Sequence, residues 1–411
     1  MKYIAKRIKI HALPAIAAMM FMLSSCNKDV EQFATPVVVT PTTPALGETI
    51  ATIADDSLYY RMIVRSGLLA TVNNKSNIFT MFVPNNAAMR QFVTAASGGA
   101  VPPGAPDAVV SGFIANTLPV TTAASIVSYN MMPQSIKMAN VPNTFPNWFY
   151  PTNLNPTSGS SFNPLVRLLT FPSTRNGNWV NNIPLVSVDN VVANGVIHTA
   201  AALPAPPSKV LAQRIFADAD MTYLAAAINR ADSGVAPTTS ASLVWVLSNF
   251  GPNITVFAPT NAAFQATLTA QITQALIAQG VPPATAAAQA AALASTPGVF
   301  SNPALYPVLT PTVVKGIVVY HILGNRAFLN NFPTTATSYP TLLNSAVPTH
   351  PGVSLTASFT GPFVTAATIK GAANATAAAI LINPTPEPNG TSDQFFVNGT
   401  IHKINQVLLP Q

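Results

Sequence analysis

A ten-residue phrase occurs twice in this chain. Thr80 to Met89 reads T-M-F-V-P-N-N-A-A-M, and Thr255 to Phe264 reads T-V-F-A-P-T-N-A-A-F. Thr80, Phe82, Pro84, Asn86, Ala87 and Ala88 coincide with Thr255, Phe257, Pro259, Asn261, Ala262 and Ala263 without a gap, at an offset of 175 residues. A second pair lies further on, where Asn194-Gly195-Val196-Ile197-His198 returns as Asn398-Gly399-Thr400-Ile401-His402 at an offset of 204. Self-similarity of this kind means two copies of one unit, so whatever the first copy builds the second must build too. The larger second offset is accounted for by an Ala/Gln-rich stretch, Gln265 to Thr296, inserted in copy two.

Each phrase has a local physical reading. In Ile254-Thr255-Val256-Phe257-Ala258, β-branched and aromatic residues favour a strand, which Pro259 ends. Thr260 or Asn261 can then cap the helix that Ala262-Ala263-Phe264 begins, and Asn86 is expected to cap likewise in copy one. The second phrase joins two apolar runs through Asn398-Gly399, the signature of a tight hairpin.

The N-terminus is set apart, because targeting segments mimic structure. Lys2, Lys6, Arg7 and Lys9 precede an apolar run from Ala12 to Leu23 that is shorter than the roughly 20 residues a bilayer span needs. Leu23-Ser24-Ser25-Cys26 resembles the lipobox of bacterial lipoproteins, which implies a signal peptide over 1–25 and lipidation of Cys26. The alternative for a lone cysteine is a small buried hydrophobe. Acyl chains at about 0.8 kcal/mol per methylene would hold the mature chain to a membrane. Asn27-Lys28-Asp29-Val30-Glu31 resembles the tract that sends some lipoproteins to the outward face of the outer membrane. Residues 26–48 read as a Pro/Thr-rich linker carrying Pro36, Pro41 and Pro44.

Removing 1–25 takes four of the nineteen Lys and Arg, so the net charge of +7 falls to about +3. No basic cluster remains to follow a phosphate backbone, and nucleic acid is excluded as a partner. No disulfide is available, and the remaining length suits about two domains.

The paired phrases resemble the two characteristic segments of fasciclin (FAS1) domains. The first follows T-x-F-A-P-T-[ND]-x-A-F. Gly399 to Pro410 follows the closing G-x-[IV]-H-x-[IV]-[ND]-x-V-L-x-P, and Gly195 to Pro204 follows it more loosely. The family's central Tyr-His is matched by Tyr320-His321, whereas in copy one Asn116-Thr117 aligns at that place. The resemblance implies an α+β fold: two tandem fasciclin-like domains, 49–205 (divergent) and 208–411, each a wedge of two small sheets with helices packed around it.

The repeated residues read as architecture: Thr80, Phe82, Pro84, Asn86 and His198 in copy one, and Thr255, Phe257, Pro259, Asn261, Tyr320, His321, Gly399 and His402 in copy two. For the three histidines, a hydrogen bond across a strand stands against a metal or catalytic role. No zinc-ligand spacing, nucleophile elbow or phosphate loop occurs, so no enzyme, metal or cofactor is expected. The candidate ligand surface is Trp148, Phe149 and Tyr150, set among prolines and asparagines, with Trp179 adding to it. Aromatic faces beside amides suit a sugar ring or an extended peptide; the competing reading is that these rings fill a hydrophobic gap in copy one. The Ala/Gln-rich stretch reads as a helical hairpin that packs onto copy two or contacts a partner. Together these features lead to an expected outward-facing, lipid-anchored adhesin that binds extracellular protein or polysaccharide, or alternatively an accessory glycan-binding lipoprotein of an uptake system.

Overall fold

A computed structural model describes residues 43–155 and 166–411. The expected signal peptide, the expected lipidation site Cys26 and the expected linker as far as residue 42 lie outside the described residues.

Each repeated phrase makes the expected corner. Strand Phe79–Pro84 turns into helix Asn86–Ala96, and strand Ile254–Pro259 turns into helix Asn261–Ala278. Every residue of both strands is buried, as their β-branched and aromatic content demands. The two phrases recur together because they are neighbours in space. Strand Phe79–Pro84 runs parallel to Gly195–Ala200, with Phe82 opposite His198, and Ile254–Pro259 runs parallel to Gly399–Ile404, with Phe257 opposite His402. The intervening chain is the crossover that a parallel pair requires.

The second phrase forms a hairpin in both copies, with Val192 facing Gly195 and Phe396 facing Gly399. The turn residues are therefore Ala193-Asn194 and Val397-Asn398, one position ahead of the expected Asn-Gly. The glycine serves close approach instead. A Cβ on Gly399 would stand 2.5 Å from the Ile254 carbonyl oxygen, and one on Gly195 1.8 Å from that of Phe79.

The copies differ beyond this shared frame. Copy two has two four-stranded sheets: one holds both phrases, and the other runs Thr337–Tyr339, Val353–Thr360, Phe363–Lys370, Ala378–Ala379. Among the described residues copy one continues its phrase-bearing sheet to six strands and adds a two-stranded ribbon, Tyr150–Pro151 with Leu169–Thr170. Its first helix, Leu46–Thr52, begins inside the stretch read as linker. Asn194 Oδ1 accepts from Leu46 N at 2.8 Å and Glu48 from Ala45 N at 2.7 Å, and these bonds fix the helix start.

The Ala/Gln-rich insertion is a helical hairpin: the corner helix runs on to Ala278, and Pro283–Leu293 follows after Gly280 at φ +88°. Leu268, Ile272, Ala290 and Ala294 join the main core of copy two.

Candidate functional site

The repeated polar residues are all committed to holding the frame. Asn86 was expected to cap the helix it begins, and either Thr260 or Asn261 the matching helix of copy two; of these only Thr260 does so. Asn85 and Thr260 take that role, accepting from Ala88 N and Ala263 N. Asn86 instead caps a different helix, Ser57–Ser66: its Oδ1 accepts from Leu58 N at 3.0 Å and its Nδ2 donates to Ala54 O at 3.0 Å. Asn261 repeats this on helix Thr222–Ala231, through Tyr223 N at 3.2 Å and Ala219 O at 2.8 Å. The first-turn amides of a helix lack partners within it, and an asparagine from another element supplies them. Asn194 and Asn398 act similarly on Leu46 N and Leu211 N, the first residues of the opening helix in each copy.

Thr80 and Thr255 are buried and bond both ways, Thr80 to Gln134 O and Ile136 N, Thr255 to Asn325 O and Ala327 N. Pro84 and Pro259 end their strands. The rings of Phe82 and His198 stack at 5.6 Å, and those of Phe257 and His402 at 5.7 Å. His402 Nδ1 accepts from Asp393 N at 3.1 Å, so the proton sits on Nε2, which donates to Ala327 O at 3.0 Å. His198 repeats this with Asp189 N and Ile136 O. Burial pushes His402 down to about 4 and His198 in the same direction, while burial raises the Asp393 carboxyl to about 7. Among the described residues no three His, Cys, Asp or Glu side chains converge on a point that could hold a metal ion.

Tyr320 and His321 end helix Pro311–Tyr320, where His321 Nδ1 meets Ile317 O at 2.8 Å and Nε2 accepts from Leu408 N at 2.8 Å. Their counterparts in copy one are Tyr129 and Asn130, ahead of strand Met131–Met132, and not Asn116-Thr117. Helix Asp107–Asn116, which precedes the true counterpart in copy one, took the expected alignment. Asn130 Nδ2 donates to Ile126 O and to Pro204 O. Proline offers no N–H, so a donor stands in copy one where the acceptor nitrogen of His321 stands in copy two.

The aromatic segment behaves differently. At Phe145 and Asn147 the chain of copy one lies against copy two. Phe145 packs edge-on against Phe332 at 5.4 Å and Tyr339 at 4.6 Å. Asn147 N donates to Arg326 O, and Asn147 Oδ1 accepts from Phe328 N, both at 3.1 Å. Arg326 is fully buried between the copies, with its guanidinium 4.7 Å from the ring of Phe171 in copy one and 4.9 Å from that of Phe395 in copy two. Its Nη2 donates to Val397 O, and it forms no ion pair among the described residues. Ser173 bonds Asn331, and Asn181 O accepts from Asn330, across the same boundary. Of the rings read as filling a gap within copy one, Tyr150 does so, while Phe145 of the same segment packs on copy two.

Trp148 and Phe149 follow immediately, 52% and 44% exposed, and stack on each other at 5.9 Å and 13°. Docked Asn147 holds them on one side and the Tyr150–Pro151 ribbon on the other. Tyr150 is half-buried against the small cluster around Phe82 and Val180. Trp179 is 4% exposed, its Nε1 donates to Asn176 O, and it takes no part in the surface. The exposed pair is therefore Trp148 and Phe149, and Trp179 is a core residue.

A fasciclin domain model matches residues 55–202 and 231–410. Among solved structures, a FAS1 domain pair from the insect cell adhesion molecule Fasciclin I aligns with 85% of this chain and 95% of its own length, at 13% identity and a TM-score of 0.31. No curated protein matches the chain.

Proposed function

The chain belongs to the fasciclin domain family, in two tandem copies, and from that premise we propose that it is a lipid-anchored surface protein that binds extracellular matrix protein or polysaccharide through Trp148 and Phe149. The family is one of adhesion and binding domains. One observation carries the assignment to this surface: two large aromatic rings are stacked in the open while their neighbours Asn147 and Tyr150 are fixed. Rings already held in place lose little side-chain freedom when a ligand covers them, which is how a small surface reaches useful affinity. Cys26 supplies the anchor in this reading, and the proline-bearing linker holds the domains off the bilayer.

The test is a binding panel of polysaccharides and matrix proteins, probed with the full-length lipoprotein in detergent. Retention by a matrix protein supports adhesion, and selective retention by one polysaccharide supports glycan capture. Retention that survives Trp148→Ala with Phe149→Ala unchanged removes this surface from the account.

A further inference from the structure

Copy two contains a cavity of about 340 Å³ away from the aromatic pair. One wall is the end of helix Thr222–Ala231, with Asn229 and Arg230, followed by Ser233. The facing wall is the turn Pro297–Ser301 and Tyr306. Arg230 Nε donates to Leu309 O at 2.7 Å, and its guanidinium lies 3.8 Å over the Tyr306 ring. These two contacts fix the guanidinium plane and leave both terminal nitrogens without a bond in the described chain. The acid nearest in sequence, Asp232, is spent on Leu243 N, Val244 N and Ser242 Oγ at another helix start.

Copy one provides an internal comparison. Arg65 makes the same backbone bond, Nε to Leu118 O at 2.8 Å, and among the described residues no ring lies over it. The backbone bond is therefore part of the frame, and the stacking ring and Ser301 come from chain that follows the inserted hairpin in copy two. We propose that this pocket binds a carboxylate-bearing sugar residue, a uronic acid unit of an acidic polysaccharide, with Arg230 as the anion clamp. A guanidinium presents two parallel N–H groups that match a carboxylate, and stacking on a ring holds that fork in one plane. Asn229 and Ser233 have side chains without a hydrogen-bond partner among the described residues, and these meet sugar hydroxyls. Phe300 closes the pocket with an apolar face. Its volume is at the small end of the roughly 300–1,000 Å³ usual for ligand sites, enough for one or two rings. An acidic peptide would be met by several cations along a groove, whereas here one arginine stands among neutral donors. The site does not depend on Trp148 or Phe149.

The experiment is calorimetric titration of the full-length protein with galacturonate oligomers, galactose oligomers of equal length, and oligoglutamate. The galacturonate oligomers are expected to bind at least about tenfold tighter than both others, because only they offer the carboxylate together with the hydroxyls. Asn229→Ala with Ser233→Ala, and separately Arg230→Lys, should each weaken that binding by about tenfold or more. Arg65→Lys, which breaks the matching backbone bond in copy one, should leave it unchanged. If Arg230→Lys fails to fold, the Asn229 and Ser233 double variant decides alone. No binding of galacturonate oligomers, equal binding of the neutral oligomers or of oligoglutamate, or indifference to the double variant would overturn the proposal.

Discussion

Asn86→Ala removes a side chain that serves a helix 28 residues away in sequence. Its Oδ1 bonds the buried Leu58 N–H, and its Nδ2 bonds Ala54 O and Ser57 Oγ. Asn86 itself is 6% exposed, so water cannot replace it without opening the corner. An orphaned buried N–H costs about 1–3 kcal/mol, and the lost donor bonds add to that, so the loss should be about 2–4 kcal/mol. Asn261→Ala breaks the same set of bonds, but its site is half-exposed and water can enter, so about 0.5–2 kcal/mol is expected. Asn85→Ala, which removes the cap of the helix Asn86 begins, belongs in that lower range. Urea unfolding gives the stability differences, and amide exchange locates them. Leu58 should lose protection in Asn86→Ala while Ala88 keeps it, and the reverse should hold for Asn85→Ala. If Asn85→Ala costs more than Asn86→Ala and Leu58 stays protected, the asparagine in the repeated phrase is not a long-range cap.

Two further outcomes follow from buried charge. Burial lowers the Arg326 pKa to about 9, which marks a cost to its charged form. The two phenyl faces and the Val397 carbonyl offset part of this cost while Nε stays unbonded, so Arg326→Met, which keeps most of the bulk, should change stability by no more than about 1 kcal/mol. Arg326→Ala leaves a void and should lose about 3 kcal/mol or more; urea unfolding that found Met as harmful as Ala would refute this balance. Asp56 is fully buried with neither carboxylate oxygen bonded, and burial, then the neighbouring Asp55, raises it to about 7. Its folded pKa lies above its unfolded value, so the stability it permits is full below about pH 4 and is lost as pH rises to about 7. Met221 holds the equivalent place in copy two and is buried in its core. Asp56→Met should therefore stabilise copy one by up to about 4 kcal/mol at pH 8 and by little at pH 4, and equal effects at both pH values would count against it.

The parts of this fold that were legible in the sequence are those set by near neighbours. A β-branched run before proline gives the strand-to-helix corner in both copies, and an Asn-Gly flanked by apolar runs gives the closing hairpin. The partners of Asn86, Asn194 and Asn261 were hidden, because each bonds a helix start brought close only by folding. The Tyr129-Asn130 equivalence was open to reading, since an apolar helix ends there just before Met131-Met132, but the preceding apolar helix Asp107–Asn116 offered a competing alignment. Exposure of Trp148 and burial of Trp179 could not be separated by composition, as both sit among asparagines and turns. What separates them is the docking of Phe145 and Asn147 on copy two, a contact between segments some 180 residues apart.

The central claim is that the repeated phrases build the frame while the unrepeated aromatic pair binds. It is tested by measuring ligand retention and urea stability on the same samples of Trp148→Ala with Phe149→Ala and of Asn86→Ala. The account predicts that the aromatic double variant loses most retention by its matrix or polysaccharide ligand with stability changed by no more than about 1 kcal/mol, since exposed rings leave no cavity. It predicts that Asn86→Ala, assayed where it is still folded, keeps retention and loses stability. Retention lost in folded Asn86→Ala and kept in the aromatic variant would contradict the account, because it would place the binding site on the repeated phrase.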